Sequence, residues 1–187
     1  LDSPVSAIGN RVGGRQEFLV TAANDGMVHL FRSDDLAGAA NPYHLKLSYI
    51  PADMQRDGDN GGETMGKTLK ELAQDGYGNL DKPHRYMVNG GFTLRQTPDS
   101  SYSKGQQIFM AGAMGQGGRG AYALNIGGKN RVNGSGLALN GSDMEKDVPL
   151  FETAKGAGNT LGYTIGTPQI GRVSINRAPD TIAMDKN

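Results

Sequence analysis

The strongest constraint on this chain is a β-hairpin plan that occurs twice. Glu17-Phe18-Leu19-Val20-Thr21-Ala22-Ala23 leads through Asn24-Asp25-Gly26 into Met27-Val28-His29-Leu30-Phe31. Asp-Gly supplies the positive φ values that tight hairpin turns need, so the two β-prone runs are predicted to pair. About ninety residues on, Gln107-Ile108-Phe109-Met110-Ala111-Gly112-Ala113 passes through a glycine-rich turn into Gly120-Ala121-Tyr122-Ala123-Leu124-Asn125-Ile126. Both units put small residues on the first strand and larger alternating side chains on the second. A further echo links Ser3-Pro4-Val5-Ser6-Ala7-Ile8-Gly9 with Gly166-Thr167-Pro168-Gln169-Ile170-Gly171. Repeated β units of this kind mark radial architectures, in which each unit buries its faces against its neighbours.

Composition agrees with short strands and many turns. The 187 residues include 29 glycines, and 36% are hydrophobic; mean hydropathy is −0.49. Nineteen basic residues balance nineteen acidic ones, so no overall basic excess draws the chain to nucleic acid or anionic lipid. There is no cysteine, which removes disulfides, thiolate catalysis and cysteine zinc sites. No apolar run reaches a membrane span. No charged segment followed by an apolar one opens the chain, so an export signal is expected outside it.

Between the hairpins, Leu45-Lys46-Leu47-Ser48-Tyr49-Ile50 alternates as a strand that Pro51 stops. Met65, Leu69, Leu72 and Ala73 fall near helical spacing, which predicts one amphipathic helix over residues 64–76, inserted into the β framework. Residues 85–95 are read as β structure across an Asn89-Gly90 turn. Residues 127–157 are polar and rich in glycine and asparagine, and are read as a long surface excursion.

Five phrases resemble the C-terminal region of the PilC/PilY type IV pilus biogenesis and adhesion proteins of Gram-negative bacteria, the Neisseria type most closely. They are Val20-Thr21-Ala22-Ala23-Asn24-Asp25-Gly26-Met27-Val28-His29-Leu30-Phe31, Leu47-Ser48-Tyr49-Ile50-Pro51, Tyr86-Met87-Val88-Asn89-Gly90, Gly117-Gly118-Arg119-Gly120-Ala121-Tyr122-Ala123-Leu124, and Leu161-Gly162-Tyr163-Thr164-Ile165-Gly166-Thr167-Pro168-Gln169-Ile170. They stand in the family's order across nearly the whole chain. The resemblance implies an all-β fold, with residues 1–187 forming part of one modified, quinoprotein-like β-propeller of antiparallel blades. It implies a non-enzymatic role in pilus extension and retraction and in host-cell adhesion, with pilin, minor pilins and a host receptor as partners. The implied location is the cell surface, peripheral to the outer membrane and at the pilus tip. The family's calcium loop is expected downstream of this chain. Asn89 departs from the family, which often carries Asp there.

Several motifs compete with that reading. Gly61-Gly62-Glu63-Thr64-Met65-Gly66-Lys67-Thr68 satisfies the phosphate-loop pattern, in which Lys67 would meet phosphates and Thr68 magnesium. Its approach, Arg56-Asp57-Gly58-Asp59-Asn60, is polar and brings two carboxylates to the anion site, against phosphate binding. Thr181-Ile182-Ala183-Met184-Asp185 is a poor companion strand, flanked by Pro179 and Asp180. Nucleotide binding remains the alternative function. Gly115, Gly117 and Gly120 match a dinucleotide fingerprint, but a strand rather than a helix is predicted to follow. Asp57, Asp59 and Glu63 are the weak metal candidates: the loop begins like a calcium site, but Thr68 stands where a bidentate Glu belongs. His29, His44 and His84 lack zinc spacing, and no nucleophile triad is visible. A quinoprotein enzyme ranks last because the chain has no tryptophan.

Overall fold

The structure is a computed structural model that describes residues 3–9, 17–33, 43–55, 69–97, 107–128, 142–153 and 160–171. Its strands are β1 (Ser6–Gly9), β2 (Glu17–Ala22), β3 (Val28–Ser33), β4 (Tyr43–Tyr49), β5 (Phe92–Gln96), β6 (Gln107–Ala113), β7 (Ala121–Gly128) and β8 (Pro149–Glu152), with a short helix α1 (Ser142–Lys146) before β8. They form two four-stranded sheets, ordered β1-β2-β3-β4 and β5-β6-β7-β8. Among the described residues every strand pair is antiparallel, and within each sheet each strand pairs with the next in sequence.

Local chemistry accounts for the hairpins. In β2, Phe18, Val20 and Ala22 are buried while the alternate residues are half-buried, the period of two expected for a strand with one face in a core. Gly26 takes φ +84°, and Met27 N–H donates to Asp25 Oδ1 (3.0 Å), so the Asn-Asp-Gly signal makes the β2–β3 turn by the chemistry it predicts. In β7, Tyr122, Leu124 and Ile126 line the buried face.

The sheets, here blade 1 and blade 2, pack face to face. Their first strands, β1 and β5, lie against each other. Phe18, Val20, Val28, Leu30 and Leu47 from blade 1 share one core with Phe92, Ile108, Met110, Tyr122, Leu124 and Ile126 from blade 2. Each fully buried large side chain contributes about 1.5–3 kcal/mol of transfer free energy, so the seam is a principal source of stability. The Phe18 ring seats on Gly127, where a Cβ would stand 2.3 Å from Phe18 Cζ.

Three expectations are corrected. The helix predicted over 64–76 is, in its described part, a single 3₁₀ turn at Glu71–Ala73, and residues 64–68 lie outside the described residues. Leu69 and Leu72 do pack on the core, but Gly76 (φ +79°) and Gly78 (φ +90°) turn the chain away at once. The surface excursion read over 127–157 contains the end of β7 and all of β8, and Val148 is fully buried. Pro149 looks like a breaker, yet it opens the strand, a position proline tolerates. The Asn89-Gly90 turn does not join two strands: the chain bends at Val88 and Gly90 outside any strand, and β structure begins at Phe92.

Candidate functional site

The turns and connections gather where the lead-in to blade 2 passes between two hairpin corners. At the blade 1 corner, Asn24 Oδ1 accepts from Met87 N–H (3.0 Å), and Asn24 Nδ2 faces His84 Nε2 (3.4 Å). At the blade 2 corner, Asn89 Oδ1 accepts from Gln116 N–H (3.0 Å). Asn89 therefore serves as a backbone brace, a task for which an amide oxygen suffices.

Asp53, in the 3₁₀ turn Ala52–Gln55, is buried. Its Oδ2 accepts from Arg119 N–H (3.1 Å). A Cβ at Gly118 would stand 2.1 Å from that oxygen, so glycine lets the corner close onto the carboxylate. The Arg119 guanidinium lies over the Tyr163 ring, 5.4 Å from its centroid, a cation–π geometry. Gly115, Gly117 and Gly120 thus shape the β6–β7 corner, and Ala121 begins a strand, which removes the dinucleotide reading.

The connection before Met87 is held in one shape. Asn79 Oδ1 accepts from the N–H groups of Asp81 (3.1 Å) and Lys82 (3.2 Å), and Gly78 N–H donates to Lys82 O (2.7 Å). His84 stands between Tyr77 (centroids 6.0 Å) and Tyr86 (5.5 Å), both edge to face. Leu80 is 100% exposed at the tip of this connection, and Tyr86 is 44% exposed.

One constellation escaped the sequence reading. His29 Nδ1 lies 3.0 Å from Ser48 Oγ, and His29 Nε2 lies 2.6 Å from Asp25 Oδ2. These are hydrolase residue types, but the ring is reversed relative to a serine hydrolase, where Nε2 meets the serine. His29 and Ser48 are direct cross-strand partners, so the chain of contacts ties the turn to β4. Only the β3–β4 register reveals it.

At the periphery, Tyr49 Oη donates to Glu152 Oε1, and the same oxygen accepts from Ala52 N–H (3.0 Å). The Tyr49 and Tyr122 rings lie 6.4 Å apart. Burial, then the bond to Glu152 and its charge, pushes the Tyr49 hydroxyl far above the ordinary tyrosine range. Burial does the same to Tyr122.

Asp57, Asp59 and Glu63, and the phosphate-loop match with Lys67 and Thr68, lie outside the described residues. Among the described residues no group of three metal-binding side chains occurs, and no helix is long and apolar enough to cross a membrane. The described sheets are antiparallel throughout, unlike the parallel sheet in which a strand feeds a phosphate loop.

Consecutive four-stranded antiparallel meanders, packed face to face with their first strands adjacent, are blades of a β-propeller. The family model of the PilY1 beta-propeller domain matches residues 4–179. The chain belongs to that family and is a type IV pilus-associated protein of the Gram-negative cell surface. No curated protein and no solved structure matches it.

Proposed function

We propose that this chain acts by binding rather than catalysis, as a rigid scaffold in pilus biogenesis and host-cell adhesion. Its partners in this reading are pilin and minor pilins on the bacterial side and a receptor on the host side, with the protein peripheral to the outer membrane or at the pilus tip. Calcium, in this reading, belongs to the family's propeller loop expected downstream of this chain.

One observation carries the reading: the connection between the blades is fixed by its own hydrogen bonds while it offers Leu80 and Tyr86 to solvent. Binding residues concentrate on loops held by a rigid scaffold, and a contact surface ordered beforehand spares the entropy of ordering at the moment of binding. Tyrosine is also enriched among residues that dominate interfaces.

The test is a Leu80→Asp, Tyr86→Ala double variant of the full-length protein in piliated bacteria. Surface export should persist while piliation or adhesion falls. Wild-type piliation together with wild-type adhesion would remove this connection from the contact surface.

A further inference from the structure

We propose that His84 is a proton-sensitive latch: with its ring neutral it fastens the connection before blade 2 to the β2–β3 corner of blade 1, and a second proton on the ring releases that fastening. The latch governs how firmly Leu80 and Tyr86 are held. Its effect on binding rests on the reading of that connection as the contact surface; its chemistry does not.

Burial of Met87 fixes the orientation of the Asn24 amide. Met87 is fully buried, and its N–H donates to Asn24 Oδ1 (3.0 Å). A buried N–H left unpaired costs free energy comparable to a lost hydrogen bond, so the oxygen stays with Met87. The NH2 group is then the end that faces His84 Nε2 (3.4 Å). An amide nitrogen is a donor only. His84 Nε2 must therefore accept, which it can do only without a proton.

The other ring nitrogen fits that tautomer. Nδ1 lies 3.5 Å from Tyr77 Oη, and the same oxygen accepts from Arg85 N–H (3.1 Å). A phenolic oxygen can accept from both donors. Neutral His84 with its proton on Nδ1 thus bridges the blade 1 corner and the hydroxyl that holds the Arg85 backbone, while the Tyr77 and Tyr86 rings flank it edge to face.

A second proton makes both ring nitrogens donors. It sets Nε2–H against the Asn24 NH2 group, donor against donor. Turning the amide over offers its oxygen to His84 but places the NH2 group against Met87 N–H, so the conflict moves without being relieved. Histidine is the side chain that changes charge in the physiological range of pH, which makes mild acid the signal.

The charges on the two elements that meet at His84 leave the conflict in place. Along the connection, Asp75 and Asp81 balance Lys82 and Arg85. At the turn, the Asp25 carboxylate is engaged by Met27 N–H (3.0 Å) and by His29 Nε2 (2.6 Å), and a charged His29 binds that carboxylate more strongly. Acid therefore tightens the turn at Asp25 and loosens the connection at Asn24, one residue away.

The chain holds three histidines, so isotopic labelling of histidine alone gives an NMR spectrum of three rings. At pH 8 His84 should carry its proton on Nδ1, and cross-peaks should join its ring protons to the Asn24 side-chain amide. At pH 5 those cross-peaks should be lost. Asn24→Asp should reverse the sign, because one carboxylate oxygen can meet the protonated ring while the other still accepts from Met87 N–H. Cross-peaks between the His84 ring and the β-protons of position 24 should then be weaker at pH 8 and stronger at pH 5. Three results would overturn the proposal: a proton on Nε2 at pH 8, wild-type cross-peaks that persist at pH 5, or the same loss on acidification in Asn24→Asp. These readings need no partner, so the latch and the contact surface fail separately. Wild-type piliation and adhesion in the Leu80→Asp, Tyr86→Ala variant would remove the contact surface alone.

Discussion

Tyr49 and Glu152 join the last strands of the two blades, the tyrosine hydroxyl donating to a carboxylate oxygen that also holds Ala52 N–H. A hydrogen bond to a charged acceptor contributes about 1.5–3 kcal/mol, and half-burial puts this one at the lower end. Tyr49→Phe should therefore lower the urea midpoint by an amount equivalent to about 1–2 kcal/mol.

The tyrosines also set a pH dependence. Tyr49 and Tyr122 both hold their protons more tightly folded than unfolded, and the unfolded value is about 10. Their contribution is complete below pH 10 and is lost as pH rises above it, because the unfolded chain then releases protons that the folded chain retains. Urea midpoints should show no tyrosine-linked change from pH 7 to 9 and fall between pH 10 and 11. Tyr122→Phe should shallow that fall; an equal slope in the variant would contradict the assignment.

Among the described residues the buried Tyr122 hydroxyl has no hydrogen-bond partner, and it crowds Gly112, where a Cβ would stand 2.3 Å away. Deleting an unsatisfied buried polar group removes its desolvation cost. Tyr122→Phe should be neutral or stabilising by up to about 1 kcal/mol at pH 7, as read from thermal unfolding.

Gly127 tests the seam by steric means. Gly127→Ala would drive a methyl group into the Phe18 ring and should cost about 1–3 kcal/mol, the usual range for overpacking. Gly162→Ala, with no atom of the described residues near its Cβ, should stay within about 0.5 kcal/mol of wild type.

Asn24 separates acceptor from amide. Asn24→Ala leaves the N–H of buried Met87 unpaired and should cost about 1–3 kcal/mol. Asn24→Asp keeps an acceptor and should retain most of that stability. Hydrogen exchange at Met87 should accelerate in the first variant and much less in the second.

The sequence revealed what depends on neighbours in the chain. Asp25-Gly26 and the alternation in 17–31 and 107–126 are local signals, and β2, β3, β6 and β7 lie where those signals put them. The order of the strands within a blade follows from such hairpins. What was hidden depends on distant residues. β8 is a strand because β7 offers it an edge and Val148 finds a core, neither of which is written in the polar stretch around it. Leu69 and Leu72 have helical spacing but gain their burial from blade packing, so a single turn satisfies them. The Ser48, His29 and Asp25 contacts and the Tyr49 bond to Glu152 arise only once strand register and blade stacking are set.

That stacking is the central claim, and a NOESY spectrum tests it most directly. Cross-peaks are predicted between the Phe18 ring and the Gly127 α-protons, and between the rings of Tyr49 and Tyr122. If the cross-strand peaks of His29 with Ser48 and Phe109 with Asn125 appear while both inter-blade sets are missing, the two sheets are not packed as propeller blades.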